Sequence, residues 1–207
     1  MLIIKDYVKN YKHGFKLSKE NLRLDPGLHF LKGQNGSGKS TLLKSISGLI
    51  QFKGSISFND VYLHRNSNTF KRQIGFAAAE PEFPSFLTLN QLAGVVLEAK
   101  KARNEEYEVL LNTFGVEFQE QPVATYSSGM LKKTSLILAL IGKPDLLLLD
   151  EPFTTIDSQS KEILTRMVKG MLKEGRTILF SSHDNMLINQ IQIDTLIEFK
   201  QGKIMIT

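Results

Sequence analysis

The stretch GQNGSGKST at positions 33–41 constrains the fold of this 207-residue chain more than any other feature. It matches the pattern G-x-x-x-x-G-K-[ST] and lies between an apolar, strand-like segment and a helical one. In such a loop, backbone N–H groups surround phosphate oxygens and the following helix adds a favourable dipole. The residues predicted to contact a nucleoside triphosphate are Gly33, Asn35, Gly36, Ser37, Gly38, Lys39, Ser40 and Thr41. Lys39 would reach the β- and γ-phosphates, and the Ser40 hydroxyl would bind Mg²⁺.

A pair of acidic residues follows the apolar run LLLL at 146–149. A short, uniformly apolar run is typical of a strand buried on both faces of a parallel sheet, and the loops at the carboxyl ends of such strands gather at one edge. We therefore expect the pair to lie beside the phosphate loop. Asp150 would hold Mg²⁺, directly or through its water, and Glu151 would polarise the water that attacks the γ-phosphate. Two solvated acids at a strand end are the alternative.

The order of the remaining segments predicts an α/β fold in a single domain. The segments LIIKDYV, FKL and LRL are typical of short N-terminal strands, and FKRQIGFAA is the element before the prolines at 81 and 84. Residues 83–143 have a helical pattern and form the predicted inserted subdomain, whereas 1–82 and 144–207 form the α/β core. A hairpin with Gly202 at its turn closes the chain.

Composition sets limits on the class of protein. With 42% hydrophobic and 23% charged residues, the chain is typical of a soluble globular protein. Its longest uncharged apolar run, Leu136–Ile141, is far shorter than the ~20 residues that span a bilayer, and the first ten residues lack the apolar core of a signal peptide. It has no cysteine and therefore no disulfide or thiolate zinc site. The net charge of +5 comes from scattered lysines rather than a basic block, so we expect a cytoplasmic protein that binds no nucleic acid.

Five short motifs occur in one order along the chain: GQNGSGKST, YSSGM, LLLLDEP, TTID and SSHD. In that order they resemble the nucleotide-binding subunits of ATP-binding cassette (ABC) transporters along nearly the whole chain. The resemblance implies a P-loop ATPase core of the ABC type, with an N-terminal antiparallel β part, that binds ATP with Mg²⁺ and hydrolyses it. It also implies two partners: a second ATPase subunit and a transmembrane permease that holds the chain at the inner face of the cell membrane.

The stretch YSSGM occupies the place of the family signature, which is usually Leu-Ser-Gly-Gly-Gln. In this family two subunits pair head to tail, and each signature helix points at the γ-phosphate bound by the other subunit. The resemblance therefore implies that Ser127 and the backbone around Gly129 contact an ATP in the partner, and a helix N-terminus with serine and glycine suits an anion. A simple helix cap is the alternative. The departures Tyr126, Ser128 and Met130 look like the variant of small bacterial exporters.

The resemblance assigns roles to three further residues. Tyr11 matches the aromatic residue that stacks on adenine, with packing inside a strand as the alternative. His183 matches the switch histidine that contacts the γ-phosphate and is counted with Lys39 and Glu151 among the catalytic residues. Asp157 matches the loop that contacts the opposite subunit, with a helix cap as the alternative.

One position departs from the family pattern. A glutamine usually ends the strand before the helical subdomain, where it ligates Mg²⁺ and senses the membrane partner, but this chain has Ala79 there. Alanine cannot ligate a metal. Glu80 would take over after a one-residue shift; otherwise water completes the coordination of Mg²⁺. The departure puts the coupling to the membrane partner in doubt.

The sequence leaves three functions to compare. The leading one is the ATPase subunit of a bacterial ABC exporter. The second is a non-transport ABC ATPase that acts on ribosomes or DNA, although the chain has neither two cassettes nor long coiled-coil insertions. The third is a regulatory module that binds ATP with little turnover, which only Ala79 supports. The cargo, and the choice between homodimer and heterodimer, stay open.

Overall fold

The computed structural model describes residues 1–11, 14–182 and 189–206. The strands in these residues are β1 (Leu2–Asn10), β2 (Lys16–Leu24), β3 (Gly27–Lys32), β4 (Lys53–Phe58), β5 (Val61–Tyr62), β6 (Ile74–Ala77), β7 (Leu146–Asp150), β8 (Thr177–Ser181), β9 (Thr195–Lys200) and β10 (Lys203–Ile206). The α-helices are α1 (Lys39–Ile46), α2 (Ser67–Arg72), α3 (Leu89–Lys100), α4 (Asn104–Phe114), α5 (Ser128–Leu140) and α6 (Ser158–Lys173). All the strands belong to one sheet, in the order β5-β4-β1-β2-β10-β9-β3-β8-β7-β6.

The sheet has a parallel half and an antiparallel half. Strands β9, β3, β8, β7 and β6 are parallel neighbours, which requires a crossover connection between successive strands. Strands β1, β2, β4 and β5 pair antiparallel. The halves join where β10 pairs antiparallel with β9 and, through Lys203 and Ser18, parallel with β2. The predicted α/β class, with an N-terminal antiparallel part and a closing hairpin, is confirmed.

Helices cover both faces of the parallel half. Every residue of β7 is buried, and alternate side chains enter different cores because successive residues of a strand point to opposite faces. Leu147 and Leu149 pack in the core that α3 to α6 cover, whereas Leu146 and Leu148 pack in the core that contains α1. The uniform apolar run is thus explained by burial on both sides. This arrangement brings the loops at the carboxyl ends of the strands to one edge.

Two segments differ from the prediction. FKL and LRL are parts of one strand, β2, because it pairs with β1 along its whole length and the polar residues between the two segments belong to the same ladder. Segment 70–78 is divided: its first residues end α2, where Phe70 is buried and Lys71 and Arg72 suit the negative end of the helix, and β6 follows. A pattern nine residues long contains too little of either period to show the break.

Helices α3, α4 and α5 lie between β6 and β7, inside the segment 83–143, and the division of the chain into core and subdomain stays a prediction. Helix α5 packs directly on β6 because Gly75 has no side chain; a Cβ atom there would overlap the backbone of Ala139. None of the helices in the described ranges is both long enough and apolar enough to cross a bilayer.

Candidate functional site

The phosphate loop runs from the end of β3 to the start of α1. Gly38, the residue before α1, has φ +109° and is buried; a Cβ there would lie 2.9 Å from Cδ2 of Leu17, so only glycine fits. The buried Lys39 side chain folds back along the loop, and its Nζ donates to Gly33 O at 2.7 Å and to Gln34 O at 3.2 Å. The ammonium therefore lies within the loop that would surround the phosphates.

A cleft of about 520 Å³ opens beside this loop. Its walls come from the phosphate loop, from the segment after β6 and from the turn after β7. The lining residues are Asn35, Gly36, Ser37, Gly38, Lys39, Ser40, Thr41, Ala79, Glu80, Asp150, Glu151, Thr154 and Thr155. The structure thus places seven of the predicted loop residues and both predicted carboxylates around one space, and Gly33 contacts Lys39 at its rim.

The buried carboxylate of Asp150 forms one hydrogen bond with another side chain. Its Oδ1 accepts a hydrogen bond from Ser181 Oγ at 2.7 Å, and its Oδ2 is buried with no hydrogen-bond partner among the described residues. An unsatisfied buried carboxylate oxygen is costly. A Mg²⁺ ion in the cleft would satisfy this oxygen, and Ser40 lines the same cleft.

Glu151 begins a turn with unusual backbone geometry. Its φ is +46°, in the left-handed region, and its backbone N donates to both the carbonyl and the hydroxyl of Ser181 at 3.1 Å. Thr155, at the end of the same turn, has φ +64°. Each such residue costs on the order of 1 kcal/mol or more and persists where surrounding contacts impose it. The turn takes the chain sharply away from β7 and leaves Glu151 at the cleft wall.

Ser181 and Lys132 are site residues that the sequence argument missed. Ser181 joins the two acidic residues; it begins the motif SSHD, in which only His183 was given a role from the sequence. Lys132, 1% exposed, donates to the carbonyls of Ala78 at 2.8 Å and Ala79 at 2.7 Å. Burial lowers the pKa of Lys132 to about 8, and the charges of Asp150 and nearby glutamates oppose that shift. The ammonium is therefore still mainly protonated at pH 7.

Helix α5 begins at the signature stretch. Ser127 is its N-cap: Ser127 Oγ accepts from Met130 N at 3.2 Å, and Met130 Sδ accepts from Ser127 N at 3.5 Å. The helix-cap alternative thus describes the local structure. Ser127 is exposed, and neither it nor Gly129 lines the cleft of its own chain. Gly129 lies against the turn after β7, because a Cβ there would be 2.9 Å from Thr155 O.

Tyr11 stands at the edge of the phosphate loop. Its ring is 43% exposed, so packing inside the strand does not describe it, and its hydroxyl shares a hydrogen bond with Thr41 Oγ1 at 3.2 Å. The ring is 6.1 Å from that of Phe15, and Lys9 Nζ is 5.2 Å from its centroid. An exposed ring beside the loop is available for stacking.

Asp157 caps α6 and binds α5. Its Oδ1 accepts from Ser160 N at 2.8 Å, and its Oδ2 forms an ion pair with Lys133 Nζ at 2.8 Å. These two contacts, that of Lys133 first, hold the pKa of Asp157 well below its ordinary value. Asp157 is therefore a helix cap, as the alternative interpretation holds, and it also forms an ion pair between α6 and α5. His183 lies outside the described residues.

Ala79 and Glu80 both lie in the cleft wall. Ala79 is half-buried and contributes its carbonyl to Lys132, whereas Glu80 is exposed. Ala79, at the position where a glutamine is expected, therefore contributes no polar side chain to the cleft. The carboxylate of the next residue, Glu80, lies in the same wall.

Comparisons with known proteins agree with this geometry. The family model described as ABC transporter matches residues 17–154. The lantibiotic transport ATP-binding protein SrtF of Streptococcus pyogenes is 32% identical over 186 residues, which cover 88% of this chain and 80% of that protein. The putative hemin import ATP-binding protein HrtA of Staphylococcus aureus (strain MRSA252) is 30% identical over 219 residues, covering 98% of each.

Solved structures show the same architecture. One, described as the ATP-binding subunit of an ABC transporter, matches with a TM-score of 0.88 and 27% identity, covering all of this chain and 89% of the other. A dimeric ATP-binding cassette bound to ADP and Pi matches with a TM-score of 0.84 and 21% identity, covering all of this chain and 98% of the other, and it supports the fold. The chain belongs to the ABC transporter family, as an ATP-binding subunit that hydrolyses ATP.

Proposed function

We propose that the chain binds MgATP in the cleft between the phosphate loop and the turn after β7, and that hydrolysis there drives a separate transmembrane permease. The observation that carries this proposal is the shared cleft, in which a folded-back Lys39 faces the same space as the carboxylates of Asp150 and Glu151. A cation and two carboxylates that line one space suit a triphosphate with its metal.

Each residue has a separate task in this proposal. Lys39 and the loop N–H groups bind the β- and γ-phosphates, and Ser40 with Asp150 would hold Mg²⁺, which when bound neutralises charge on those phosphates. Glu151 accepts the proton of the attacking water as general base. Tyr11 stacks on adenine. From its place in the family motif, His183 is proposed to contact the γ-phosphate.

The second step of the proposal is ATP-driven pairing of two subunits. The N-terminus of α5 is supported as an anion site by its exposed Ser127 and by its absence from the cleft of its own chain. Ser127 and Gly129 are therefore proposed to meet the γ-phosphate in a second subunit, with Asp157 beside the same interface. Two copies of this chain are the simplest assembly, and a pair with a related chain is the alternative.

The third step concerns the permease. The segment after β6 carries Phe86, which is 78% exposed, and leads into the helices at 83–143. This surface, with the backbone at Ala79, is proposed to receive a cytoplasmic helix of the permease at the inner face of the membrane. Export is proposed from the YSSGM variant; of the two relatives, one is named for hemin import and the other for lantibiotic transport, a name that states no direction.

Two substitutions test the ATP site. Lys39→Ala should abolish tight MgATP binding, since the loop loses its point charge. Glu151→Gln keeps the size of the side chain but removes the base, so ATP should still bind while turnover falls on the order of 10²-fold or more. Titration with labelled ATP and a phosphate-release assay measure the two effects. Unchanged affinity in the first variant, or turnover within a few-fold of wild type in the second, would reject the assignments.

A further inference from the structure

Lys132 is a charged residue in the interior, on the second turn of α5. Besides its bonds to Ala78 O and Ala79 O, its Nζ lies 3.4 Å from Asp150 O. An ammonium has three donors, and three carbonyls surround this one. Two of the carbonyls belong to the residues that directly follow β6, and the third belongs to the last residue of its parallel neighbour β7. One side chain of α5 therefore binds the backbone of both strands at the edge where the cleft lies.

Solvation does not explain a lysine in this place. Residues Leu136 and Ile137, on the next turn, are fully buried and apolar, and an apolar residue at 132 would avoid the cost of burying a charge. A buried ammonium is tolerated when its donors are satisfied and opposite charge is near, and both conditions hold here. The cost is offset only in this one orientation of α5 relative to the two strands.

A second contact on the same helix face supports the same connection. Ser135 Oγ accepts a hydrogen bond from Ala78 N at 3.2 Å. Residues 132 and 135 are three positions apart and so lie on one face of the helix. Together they bind both polar backbone groups of Ala78, and Lys132 adds Ala79. Because the side chain of Ala79 is a methyl group, these backbone contacts are the polar link between α5 and this part of the cleft wall.

We propose that Lys132 is a positioning residue for ATP hydrolysis, whose ammonium holds the signature helix and the cleft-wall backbone at Ala79 and Asp150 in one fixed arrangement. This inference rests on the proposed function, since it concerns the same cleft. The N-cap of α5, Ser127, is five residues, or about 7.5 Å along the helix axis, from Lys132. A shift of the helix against the strands would therefore move the signature and the carboxylate-bearing turn relative to each other.

The test compares Lys132→Met with Lys100→Met. Lys100 is a half-buried lysine at the end of α3, outside the cleft lining, so the second variant makes the same chemical change elsewhere. In the nucleotide-free chain, hydrogen exchange should rise about 10-fold or more in Lys132→Met at the amide of Ala78, which donates to Ser135 Oγ, because local opening becomes easier. The ATP dissociation constant should stay within about 3-fold, while kcat falls about 10-fold or more through misplacement of the catalytic groups. Lys100→Met should change none of the three.

Each alternative outcome decides the matter. A Lys132→Met variant with a lower Tm, but with unchanged exchange at the Ala78 amide and unchanged kcat, would show that Lys132 is only a structural core residue and would overturn the proposal. If that variant does not fold, Lys132→Gln, which keeps two donors without the charge, is measured the same way and should give an intermediate kcat. A wild-type chain without ATP turnover would reject the proposed function instead. The exchange comparison needs no nucleotide and still tests the link.

Discussion

At the scale of single residues, the Ser181 hydroxyl organises both acidic residues of the cleft. It is fully buried, donates to Asp150 Oδ1 and accepts from Glu151 N. The first bond restricts the rotation of the carboxylate that would hold Mg²⁺. The second adds to the backbone bond that anchors the left-handed turn at Glu151 to β8. Ser181, which does not line the cleft, therefore fixes the position of Asp150, proposed to hold Mg²⁺, relative to Glu151, proposed to activate water.

We predict that Ser181→Ala lowers both stability and turnover. Removal of the hydroxyl deprives the buried carboxylate of Asp150 of a hydrogen bond. The free energy of unfolding should therefore fall by about 1–3 kcal/mol. ATP affinity should change little because Lys39 and the loop are intact, whereas kcat should fall. Denaturant unfolding and steady-state kinetics measure these effects.

Ser45→Ala is a matched control for that prediction. The Ser45 hydroxyl, on α1, is equally buried but bonds the Tyr7 hydroxyl and the carbonyl of Thr41 instead of the acidic residues. It should lower stability without a comparable loss of kcat. Equal losses of kcat in the two variants would show that Ser181 acts on the site only through general stability.

The same residues show where sequence reasoning reaches its limit. The phosphate loop was predictable because its glycines, lysine and serine are neighbours in sequence and their chemistry is local. Ser181 and Lys132 act on partners 31 and 53 or more positions away, Asp150 and the backbone at Ala79. These residues and their partners become neighbours only because α5 and β8 pack beside β7. Every residue has a backbone carbonyl, so a lysine that binds carbonyls requires no particular type of residue as its partner. No sequence motif therefore marks its position.

At the scale of elements, the uniformly apolar strands and the helices with a clear apolar period were predictable from the sequence. The pairing of strands within the sheet was not. The run at 146–149 indicated a doubly buried strand, and β7 is one. The single residue pair between β10 and β2 that joins the two halves of the sheet has no sequence signal. Short elements such as α2 were also missed, since six residues make fewer than two helical turns.

Helix α3 ends at Lys100, whose buried charge lowers the stability of the folded chain. Lys100 Nζ is buried without a hydrogen-bond partner in the described ranges, and burial lowers its pKa to about 8, although Glu106 favours the charged form. The unfolded chain has the ordinary, higher lysine pKa. Below pH 8 both states carry the charge and the folded state bears its cost. Between pH 8 and the unfolded value, the folded state loses the proton first and stability rises.

We therefore predict that Lys100→Met raises the unfolding temperature at pH 7. A rise of about 2–4 °C corresponds to a gain on the order of 1 kcal/mol in a protein of this size. The gain should shrink as pH increases from 8 toward 10.5, since wild type then loses the same charge on folding. Thermal unfolding of both proteins across this range is the measurement. A difference that is constant with pH would assign the gain to packing instead of charge.

At the scale of the whole molecule, the start of α5 does not line the cleft of its own chain. Ser127 and Ser128 are exposed, and the turn at Thr154 and Thr155, which forms part of the cleft wall, lies against the start of the helix. A single chain therefore contains one complete phosphate loop and one separate helix N-terminus suited to an anion. Head-to-tail pairing would bring each of these to the other across two composite sites, which is the arrangement proposed above.

Ser128→Asp tests this arrangement without disturbing the chain itself. Gly129 is a poor choice because a side chain there would displace Thr155, whereas Ser128 is exposed and an acid in the first turn stabilises a helix. Across an interface the new carboxylate would repel the partner's γ-phosphate. The monomer should bind ATP normally, but ATP-driven dimerisation and hydrolysis should be lost. Ser128→Asn, nearly the same shape without the charge, should retain both.

A mixture of Ser128→Asp with Lys39→Ala distinguishes action between subunits from action within one. In a mixed dimer, one composite site takes its phosphate loop from the first variant and its signature from the second, and so contains neither change. Hydrolysis should therefore return on mixing two inactive proteins, and phosphate release measured against mixing ratio would show it. If the signature served the ATP of its own chain, every site would contain a change, and the mixture would stay as inactive as its components, which would reject the head-to-tail arrangement.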